Sequence, residues 1–315
     1  MNVLSLFDGM SCGQIALDKL GIPVNKYFAA EIDKYAIQVA KRNYPDMVHL
    51  GDVKEIDPNE LPKIDLLIGG SPCQGFSFAG KQLNFDDPRS QLFFEYVRLL
   101  KALKPKYFLL ENVKMKKESE QVITDYLGVE PIEINSNLVS AQNRKRLYWT
   151  NIPMDGLPQD KGILLKDILE PVEQIDDVYY YSDKSIAYME RGNEKWQQAG
   201  NRRADRYTQT PDTEKAFTIT ANFHKGVPYN YFDDIRYKSK CVRSGGRLSY
   251  DRHEWDSVDT NHIRKLTVTE CERLQTVPDG YTCGVSNTQR YKMLGNGWTV
   301  DVIKHIFEGL KEETQ

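Results

Sequence analysis

A cysteine follows an apolar run and a proline in the stretch GGSPCQGFSFAGK, residues 69–81. The run Ile64–Ile68 predicts a buried strand that ends at Gly69-Gly70. The proline would hold Cys73 rigidly beyond the strand end, and the small and aromatic residues after it would form a loop that closes over a bound molecule. Cys73 is therefore a candidate nucleophile. The alternative is an inert thiol in a turn.

A carboxyl and two guanidinium groups are placed to assist such a nucleophile. A thiolate adds poorly to a neutral pyrimidine unless an acid protonates the ring nitrogen. Glu111 follows the apolar run Tyr107–Leu110, and a carboxyl in a dry pocket has a raised pKa and can donate that proton. Arg144 and Arg146, two residues apart on one face of a strand start, can hold the carboxyl, a ring carbonyl or a phosphate. The alternative is a surface pair.

A glycine-containing turn and two acids indicate a nucleoside cofactor. Phe7–Gly13 joins the first predicted strand to the first predicted helix. Only Gly9 and Gly13 stand there, short of the G-x-G-x-x-G of dinucleotide sites. Glu31, at the second strand end, suits ribose hydroxyls, and Asp52 suits an adenine amino group. S-adenosylmethionine fits this set; the alternative is a group of solvated surface carboxylates.

The elements that position these residues alternate along the first half of the chain. We predict strands over Val3–Phe7, Tyr27–Ala30, Ile64–Ile68, Tyr107–Leu110, Ile132–Ser140 and Arg146–Thr150. We predict helices over Gln14–Leu20, Asp33–Asn43, Ser90–Leu103, Thr267–Leu274 and Trp298–Leu310. This order predicts an α/β fold with a doubly wound, mostly parallel sheet. Ligands of such sheets bind beyond the carboxyl ends of the strands, so the candidate residues should share one edge.

Composition excludes several classes. The 315 residues include 42 Lys and Arg against 45 Asp and Glu, so nucleic-acid binding must come from local charge. Five scattered cysteines with no CxxC spacing argue against a disulfide framework or a metal site and favour a reducing cytoplasm. No apolar run reaches the roughly 18 residues of a membrane span. The first residues do not resemble a signal peptide.

Taken in order, these motifs resemble the cytosine-5 DNA methyltransferase family. The resemblance covers residues 1–151 and 263–315. It runs through Phe7-Asp8-Gly9, Glu31, Gly51-Asp52, Pro72-Cys73-Gln74, Glu111-Asn112-Val113, Gln142–Arg146, Arg264–Gln275, Pro278 and Leu294–Gly297. Gly75–Leu92 is similar to bacterial members, and Glu133–Asn151 and Tyr281–Leu310 are similar to the animal de novo branch.

The resemblance implies a Rossmann-like catalytic domain that uses S-adenosylmethionine on a cytosine flipped out of duplex DNA. Cys73 would add to C6, Glu111 would contact N3 and the exocyclic amine, and Arg144 and Arg146 would steady the ring carbonyl and Glu111. The implied cofactor-site residues are Phe7, Asp8, Gly9, Ser11, Cys12, Gly13, Glu31, Ile32, Asp52, Val53, Pro72, Leu92, Asn296, Gly297 and Trp298. The sequence departs from the family at Ser11, where glycine is usual, and at Gly297-Trp298, where Ser-Val is usual.

The segment between the two matched regions is expected to recognise the target. We predict a smaller target-recognition domain over 152–262, between catalytic regions 1–151 and 263–315. Residues 195–252 hold 12 Lys and Arg against 6 Asp and Glu, which suits phosphate contact. The candidate DNA-contacting residues are Gln74, Ser77, Arg89, Arg202, Arg203, Arg206, Lys225, Arg243 and Arg247. The alternative for each arginine and lysine of this segment is a solvated surface.

Two other functions stay open at this point. A tRNA cytosine-5 methyltransferase would use the same scaffold, and a non-catalytic DNA-binding homologue would keep the fold alone. Intact Cys73 and Glu111 argue against the second. We expect a monomer in the cytoplasm of a bacterial or phage-infected cell, with no metal and no membrane partner. A restriction endonuclease is a compatible partner, while the DNA sequence recognised depends on side-chain placement in loops.

Overall fold

A seven-stranded sheet forms the centre of the computed structural model, which describes residues 1–71, 88–188, 191, 209–226, 229–236 and 262–311, with backbone alone at 88–90. The strands of this sheet are β1 Asn2–Leu6, β2 Lys26–Ala30, β3 Val48–Gly51, β4 Leu66–Gly69, β5 Tyr107–Val113, β6 Ile132–Asn135 and β7 Lys145–Thr150. The helices are α1 Cys12–Leu20, α2 Lys34–Asn43, α3 Pro88–Leu103, α4 Lys117–Leu127, α5 Leu165–Ile168, α6 Val268–Leu274, α7 Asn287–Asn296 and α8 Val300–Phe307. Residues 183–188 are also helical, and β8 Phe232–Asp233 pairs with β9 Ile263–Arg264.

The strand order in the sheet is β3-β2-β1-β4-β5-β7-β6. Strands β1 to β5 are parallel, and β7 runs antiparallel to both β5 and β6. The order changes direction between β1 and β4, which is the point where open α/β sheets bind their ligands. The predicted doubly wound, mostly parallel sheet is confirmed.

The carboxyl ends of four parallel strands are aligned by the register. Leu6 of β1 pairs with Ala30 of β2 and with Gly69 of β4, and Gly69 pairs with Leu110 of β5. The residues that come next in the chain therefore emerge in one row. For the candidate residues that the structure describes, this confirms that different strands bring them to one edge; Pro72 and Cys73 lie outside the described residues.

Both faces of the sheet are buried, as parallel sheets require. Alternate side chains point to opposite faces. One face carries Val3, Ala29, Leu66, Ile68 and Leu109, which pack in a core with helices α1 and α8. The other carries Leu4, Leu6, Phe28, Leu67 and Leu110, which pack in a second core with α3 and α4.

Several predicted elements have other bounds in the structure. The strand predicted over Tyr107–Leu110 runs on to Val113, so Glu111 lies within β5. The strand predicted over Ile132–Ser140 ends at Asn135, because the Asn135 side chain accepts hydrogen bonds from the backbone N–H groups of Asn137 and Arg144 and turns the chain. The helix predicted over Trp298–Leu310 begins at Val300, after the extended cap residue Thr299. This leaves Trp298 in the connection between α7 and α8.

The described part of the middle segment packs onto the catalytic region. Ile219 and Phe223 belong to the same hydrophobic core as Leu294 of α7. A Cβ atom on Gly295 would lie 2.1 Å from the backbone carbon of Thr220, so only glycine permits this approach. Within the described residues, no helix has both the length and the apolar character needed to cross a bilayer.

Substituting Gly295 tests how this contact positions α7. Gly295→Ala forces a clash with backbone rather than with a movable side chain, and we expect a loss of about 3 kcal/mol in the free energy of unfolding. Gly156→Ala is the control, since Gly156 has a positive φ of 78° but open space around its Cβ position; it should cost about 1 kcal/mol. Urea unfolding measures both. Equal losses in the two variants would contradict the packing described.

Candidate active site

A cavity of about 780 Å³ opens beyond the aligned strand ends. Most of the described residues predicted for the site line it. These are Phe7, Asp8, Gly9, Cys12, Glu31, Ile32, Asp52, Val53, Leu92, Glu111, Arg144, Arg146, Asn296, Gly297 and Trp298. The cavity also has Lys292, Gly70, Ser71 and Asn112 in its wall, which the sequence had not indicated as cofactor or catalytic residues.

Ser11 and Gly13 were predicted for the cofactor site but do not line the cavity. Ser11 is buried in the left-handed conformation with φ 67°, and its Oγ donates to Asp8 Oδ2 at 2.5 Å. A Cβ atom on Gly13 would lie 2.3 Å from Ile68 Cδ1. Gly13 thus lets α1 pack closely on the sheet. Both residues shape the wall from behind.

Asp8 is a buried carboxyl at the end of β1. Its oxygens accept hydrogen bonds from the hydroxyls of Ser11 and Tyr27. Burial raises the pKa of Asp8 to about 6, although the hydrogen bonds from the two hydroxyls act to lower it. Asp8 therefore uses its oxygens to hold the turn after β1 in place. It does not present a fully exposed charge to the cavity.

Glu31 fastens the turn after β1 to the end of β2. Its Oε2 accepts from the backbone N–H of Gly9 at 2.8 Å, and its Oε1 accepts from the N–H groups of Ile32 and Asp33, each at 2.8 Å. A carboxylate has about four acceptor positions. Glu31 therefore keeps acceptor capacity towards the cavity while its position is fixed by the backbone.

Asp52 is held by one oxygen alone. Its Oδ1 accepts from the backbone N–H of Lys54 at 3.0 Å and caps the short 3₁₀ helix Val53–Glu55. Its Oδ2 has no hydrogen bond to a described residue, and the side chain lines the cavity. One acceptor oxygen is thus available to a donor in the cavity.

Glu111 lies buried at the far side of the same cavity. Its Oε1 pairs with Arg146 Nε at 2.9 Å, and its Oε2 accepts from the indole Nε1 of Trp298 at 3.1 Å. Burial raises the pKa of this carboxyl above its ordinary value despite Arg146, Arg144 and Trp298, which act in the opposite direction. The raised pKa agrees with the sequence-based expectation for an acid in a dry pocket.

Arg144 lies near enough to Glu111 to lower its pKa, but it makes its hydrogen bonds to backbone carbonyls. Its guanidinium donates to the carbonyls of Ile219, Gly295 and Gly297 at 2.7, 3.0 and 2.9 Å. These bonds join the middle segment to the connection that carries Trp298. The pKa of Arg144 is lowered to about 10 by burial and by Arg146, so it remains charged at neutral pH. Of the described residues, Arg146 is the one that makes an ion pair with Glu111.

Several predicted residues lie outside the described part of the chain. These are Pro72, Cys73, Gln74, Ser77, the Arg89 side chain, Arg202, Arg203, Arg206, Arg243 and Arg247. Lys225 is described, and it is exposed with its Nζ 5.9 Å from the Tyr229 ring centroid.

One described thiol lines the cavity, but its environment suppresses ionisation. Cys12 is buried, and burial raises its pKa to about 12. Since the thiolate is the nucleophilic form, Cys12 is a packing residue. No group of three His, Cys, Asp or Glu side chains in the described ranges is arranged to hold a metal ion.

The sheet and its helices form the fold of the S-adenosylmethionine-dependent methyltransferases. The chain matches the model of the C-5 cytosine-specific DNA methylases over residues 1–312 and belongs to that family. It is 34% identical over 310 residues to the type II methyltransferase M1.ScrFI of Lactococcus lactis subsp. cremoris, across 92% of this chain and 72% of that protein. It is 31% identical over 326 residues to the type II methyltransferase M.NlaX of Neisseria lactamica, across 98% of this chain and 96% of that protein.

A solved structure supports the fold independently of close sequence similarity. The methyltransferase EhMeth of Entamoeba histolytica superposes with a TM-score of 0.76 at 18% identity, over 100% of this chain and 99% of that one. The seven-stranded arrangement therefore belongs to a known methyltransferase architecture.

The available oxygen of Asp52 leads to a prediction about cofactor affinity. Asp52→Asn keeps the cap on Lys54 but removes the charge and presents an amide in its place. We expect S-adenosylmethionine to bind about 10-fold to 100-fold more weakly, as for a lost hydrogen bond to a charged group. Isothermal titration calorimetry measures the change.

Asp57→Asn is the matched control. Asp57 caps the next 3₁₀ helix through a hydrogen bond from Asn59 N–H at 2.9 Å, and it does not line the cavity. Its substitution should leave the affinity unchanged. Equal affinity in wild type and Asp52→Asn would show that Asp52 does not contact the cofactor.

Proposed function

We propose that the cavity binds S-adenosylmethionine beside a cytosine flipped out of duplex DNA, and that Cys73 and Glu111 activate this base for methylation at C5. The observation that carries the proposal is the position of Glu111. Its buried carboxyl lines the same cavity as Glu31 and Asp52, so a proton donor and two nucleoside-binding acids face one space.

The charges of the wall fit this cofactor. The described lining residues include Glu31, Asp33 and Asp52, besides Asp8, whose oxygens accept from hydroxyls, and Glu111, which is paired with Arg146. The carboxylates of Glu31, Asp33 and Asp52 suit a ligand that carries a sulfonium and an ammonium group, and they oppose the pyrophosphate of a dinucleotide. When bound, S-adenosylmethionine supplies an electrophilic methyl group.

Three residues would hold the nucleoside part. Glu31 would accept from the ribose hydroxyls, and Asp52 from the adenine amino group. Ile32 lines the cavity although 74% of it is exposed, and covering a flat adenine ring would remove this apolar side chain from water.

Cys73 is the proposed nucleophile. Ser71, two residues before it, lines the cavity, and Asn112 Nδ2 donates to the Ser71 carbonyl and Oγ at 3.4 and 3.3 Å. The chain that leads to Cys73 is therefore tied to the strand that carries Glu111. Cys12, with its suppressed ionisation, is not an alternative.

The proposed reaction begins with addition of the Cys73 thiolate to C6 of cytosine. The electrons displaced from the C5–C6 double bond reach N3, which takes a proton from Glu111, and C5 becomes nucleophilic. Arg146 keeps Glu111 in position through the ion pair. Once C5 is methylated, N3 returns its proton to Glu111. Loss of the C5 hydrogen as a proton to solvent water then expels the thiolate and restores the C5–C6 double bond.

Target recognition is assigned to residues 152–262. Their basic stretch suits DNA phosphates, and the exposed Lys225 and Tyr229 offer a cation beside an aromatic ring. The type II names of the relatives support a modification role within a restriction–modification pair.

A fluorinated substrate tests the proposal. A 5-fluorocytosine has no C5 hydrogen, so the adduct with Cys73 cannot resolve after methylation. Duplex DNA with this base and random flanks, incubated with S-adenosylmethionine, should give a protein–DNA band that survives denaturation. Sequencing of the trapped DNA would identify the recognition site.

Variants assign the roles in this experiment. Cys73→Ala should abolish the band, and Glu111→Gln should weaken it by about 100-fold or more because an amide cannot protonate N3. Cys283→Ala, which removes a described thiol outside the cavity wall, should leave the band intact. A band retained in Cys73→Ala would remove this residue from the mechanism. Trapping of fluorinated tRNA, with every DNA pool free, would overturn the DNA assignment.

A further inference from the structure

The indole of Trp298 lies between the predicted cofactor-site residues of the cavity and the proposed acid Glu111. Trp298 stands in the connection between α7 and α8, next to the predicted cofactor-site residues Asn296 and Gly297. Its Nε1 donates to Oε2 of Glu111, the proposed acid, at 3.1 Å. The tryptophan therefore touches the group that acts on the base while it belongs to the wall of the cofactor site.

The backbone on both sides of Trp298 is fixed. The Gly297 N–H donates to the Met293 carbonyl at 2.7 Å, and the Gly297 carbonyl accepts from Arg144 at 2.9 Å and from Gln275 at 3.2 Å. The Thr299 hydroxyl donates to Gln275 Oε1 at 2.8 Å. These bonds hold the indole in one place, so it can orient a partner.

Gly70, at the end of β4, makes room for this contact. A Cβ atom on Gly70 would lie 2.9 Å from Trp298 Nε1 and 3.0 Å from Glu111 Oε2. A side chain at this position would push against both members of the hydrogen bond. The chain thus passes close to the pair at a residue that has no side chain.

Each oxygen of the Glu111 carboxyl has its own partner. Arg146 holds Oε1 and Trp298 holds Oε2, so rotation about the last side-chain bond would break both contacts. Within the part of the chain that the structure describes, Arg144 and Tyr148 also act on it electrostatically, and Tyr148 is paired with Glu111 across β5 and β7. Of the two side chains that bond the carboxyl, Arg146 is charged and Trp298 is neutral.

We infer that Trp298 is a positioning residue that fixes the Glu111 carboxyl from the cofactor side of the cavity, opposite Arg146. The inference rests on the proposed role of Glu111 as the proton donor. It gives Trp298, which the sequence predicted for the cofactor site, a second role through its indole N–H.

Trp298→Phe removes the N–H and keeps an aromatic ring in the wall. We expect kcat to fall about 10-fold, because the acid is less well oriented, with the KM for S-adenosylmethionine changed less than about threefold. The N–H favours the ionised carboxylate, so its loss raises the pKa of Glu111 further. Glu111 acts as an acid in its protonated form, so the basic limb of the kcat–pH profile should move to higher pH.

Trp149→Phe is the matched control. Trp149 is buried in β7, its Nε1 donates to Thr124 Oγ1 at 3.0 Å, and it does not line the cavity. It loses an equivalent indole hydrogen bond, so it should lower thermal stability without moving the pH profile. An unchanged kcat and an unchanged basic limb in Trp298→Phe would overturn the inference. So would effects equal to those of Trp149→Phe.

Two further variants keep the test decisive. If Trp298→Phe does not fold, Gly70→Ala separates the same pair, and an unchanged basic limb in this variant would overturn the inference. Glu111→Gln separates the inference from the proposed function. If Glu111→Gln retains wild-type turnover, the acid role itself fails. If it loses turnover, single-turnover rates of Glu111→Gln with and without Trp298→Phe should agree, because there is no proton left to position.

Discussion

The rest of the site depends on the burial of one carboxyl group, that of Glu111, near the carboxyl end of β5. An unpaired carboxylate in a dry place is costly, so Glu111 needs donors on both oxygens, and Arg146 and Trp298 supply them. Burial still prevails over these donors and keeps the pKa of Glu111 raised. The result is a carboxyl group that is fixed in position and takes up a proton at a higher pH than an ordinary glutamate does.

Each donor depends on a different part of the fold. Arg146 reaches Glu111 because β7 runs antiparallel to β5 and pairs Arg146 with Val113, two residues after Glu111. Trp298 reaches it because Arg144 and Gln275 hold the Gly297 carbonyl. Gly295 lets α7 approach Thr220, so the middle segment supports the same connection. The reversed strand and the packed segment therefore act together on one side chain.

The strand-end acids could be predicted from the sequence because parallel strands bring their carboxyl ends to one edge. Glu31 and Glu111 each follow an apolar run, Asp52 follows a strand that the sequence did not predict, Val48–Gly51, and all three acids line the cavity. The spacing of Arg144 and Arg146 predicts that they share one face of the chain, but it does not show which of them pairs with Glu111. Arg144 stands before β7 and turns to three backbone carbonyls, and only the three-dimensional packing decides this. The contact between Trp298 and Glu111 joins residues 187 positions apart, which no local pattern predicts. The sequence also indicated a strand beyond Asn135, where a side-chain cap on the next turn overrides the apolar pattern.

The charge state of Glu111 is the most direct test of this account. The protein is labelled with ¹³C at the glutamate side-chain carboxyl, and the signal absent from Glu111→Gln is assigned to Glu111. We expect the pKa measured from this signal to lie above 4.5, the ordinary pKa of a glutamate. A midpoint at or below 4.5 would show that Arg146 and Trp298 outweigh burial, and it would contradict the role of Glu111 as a buried proton donor.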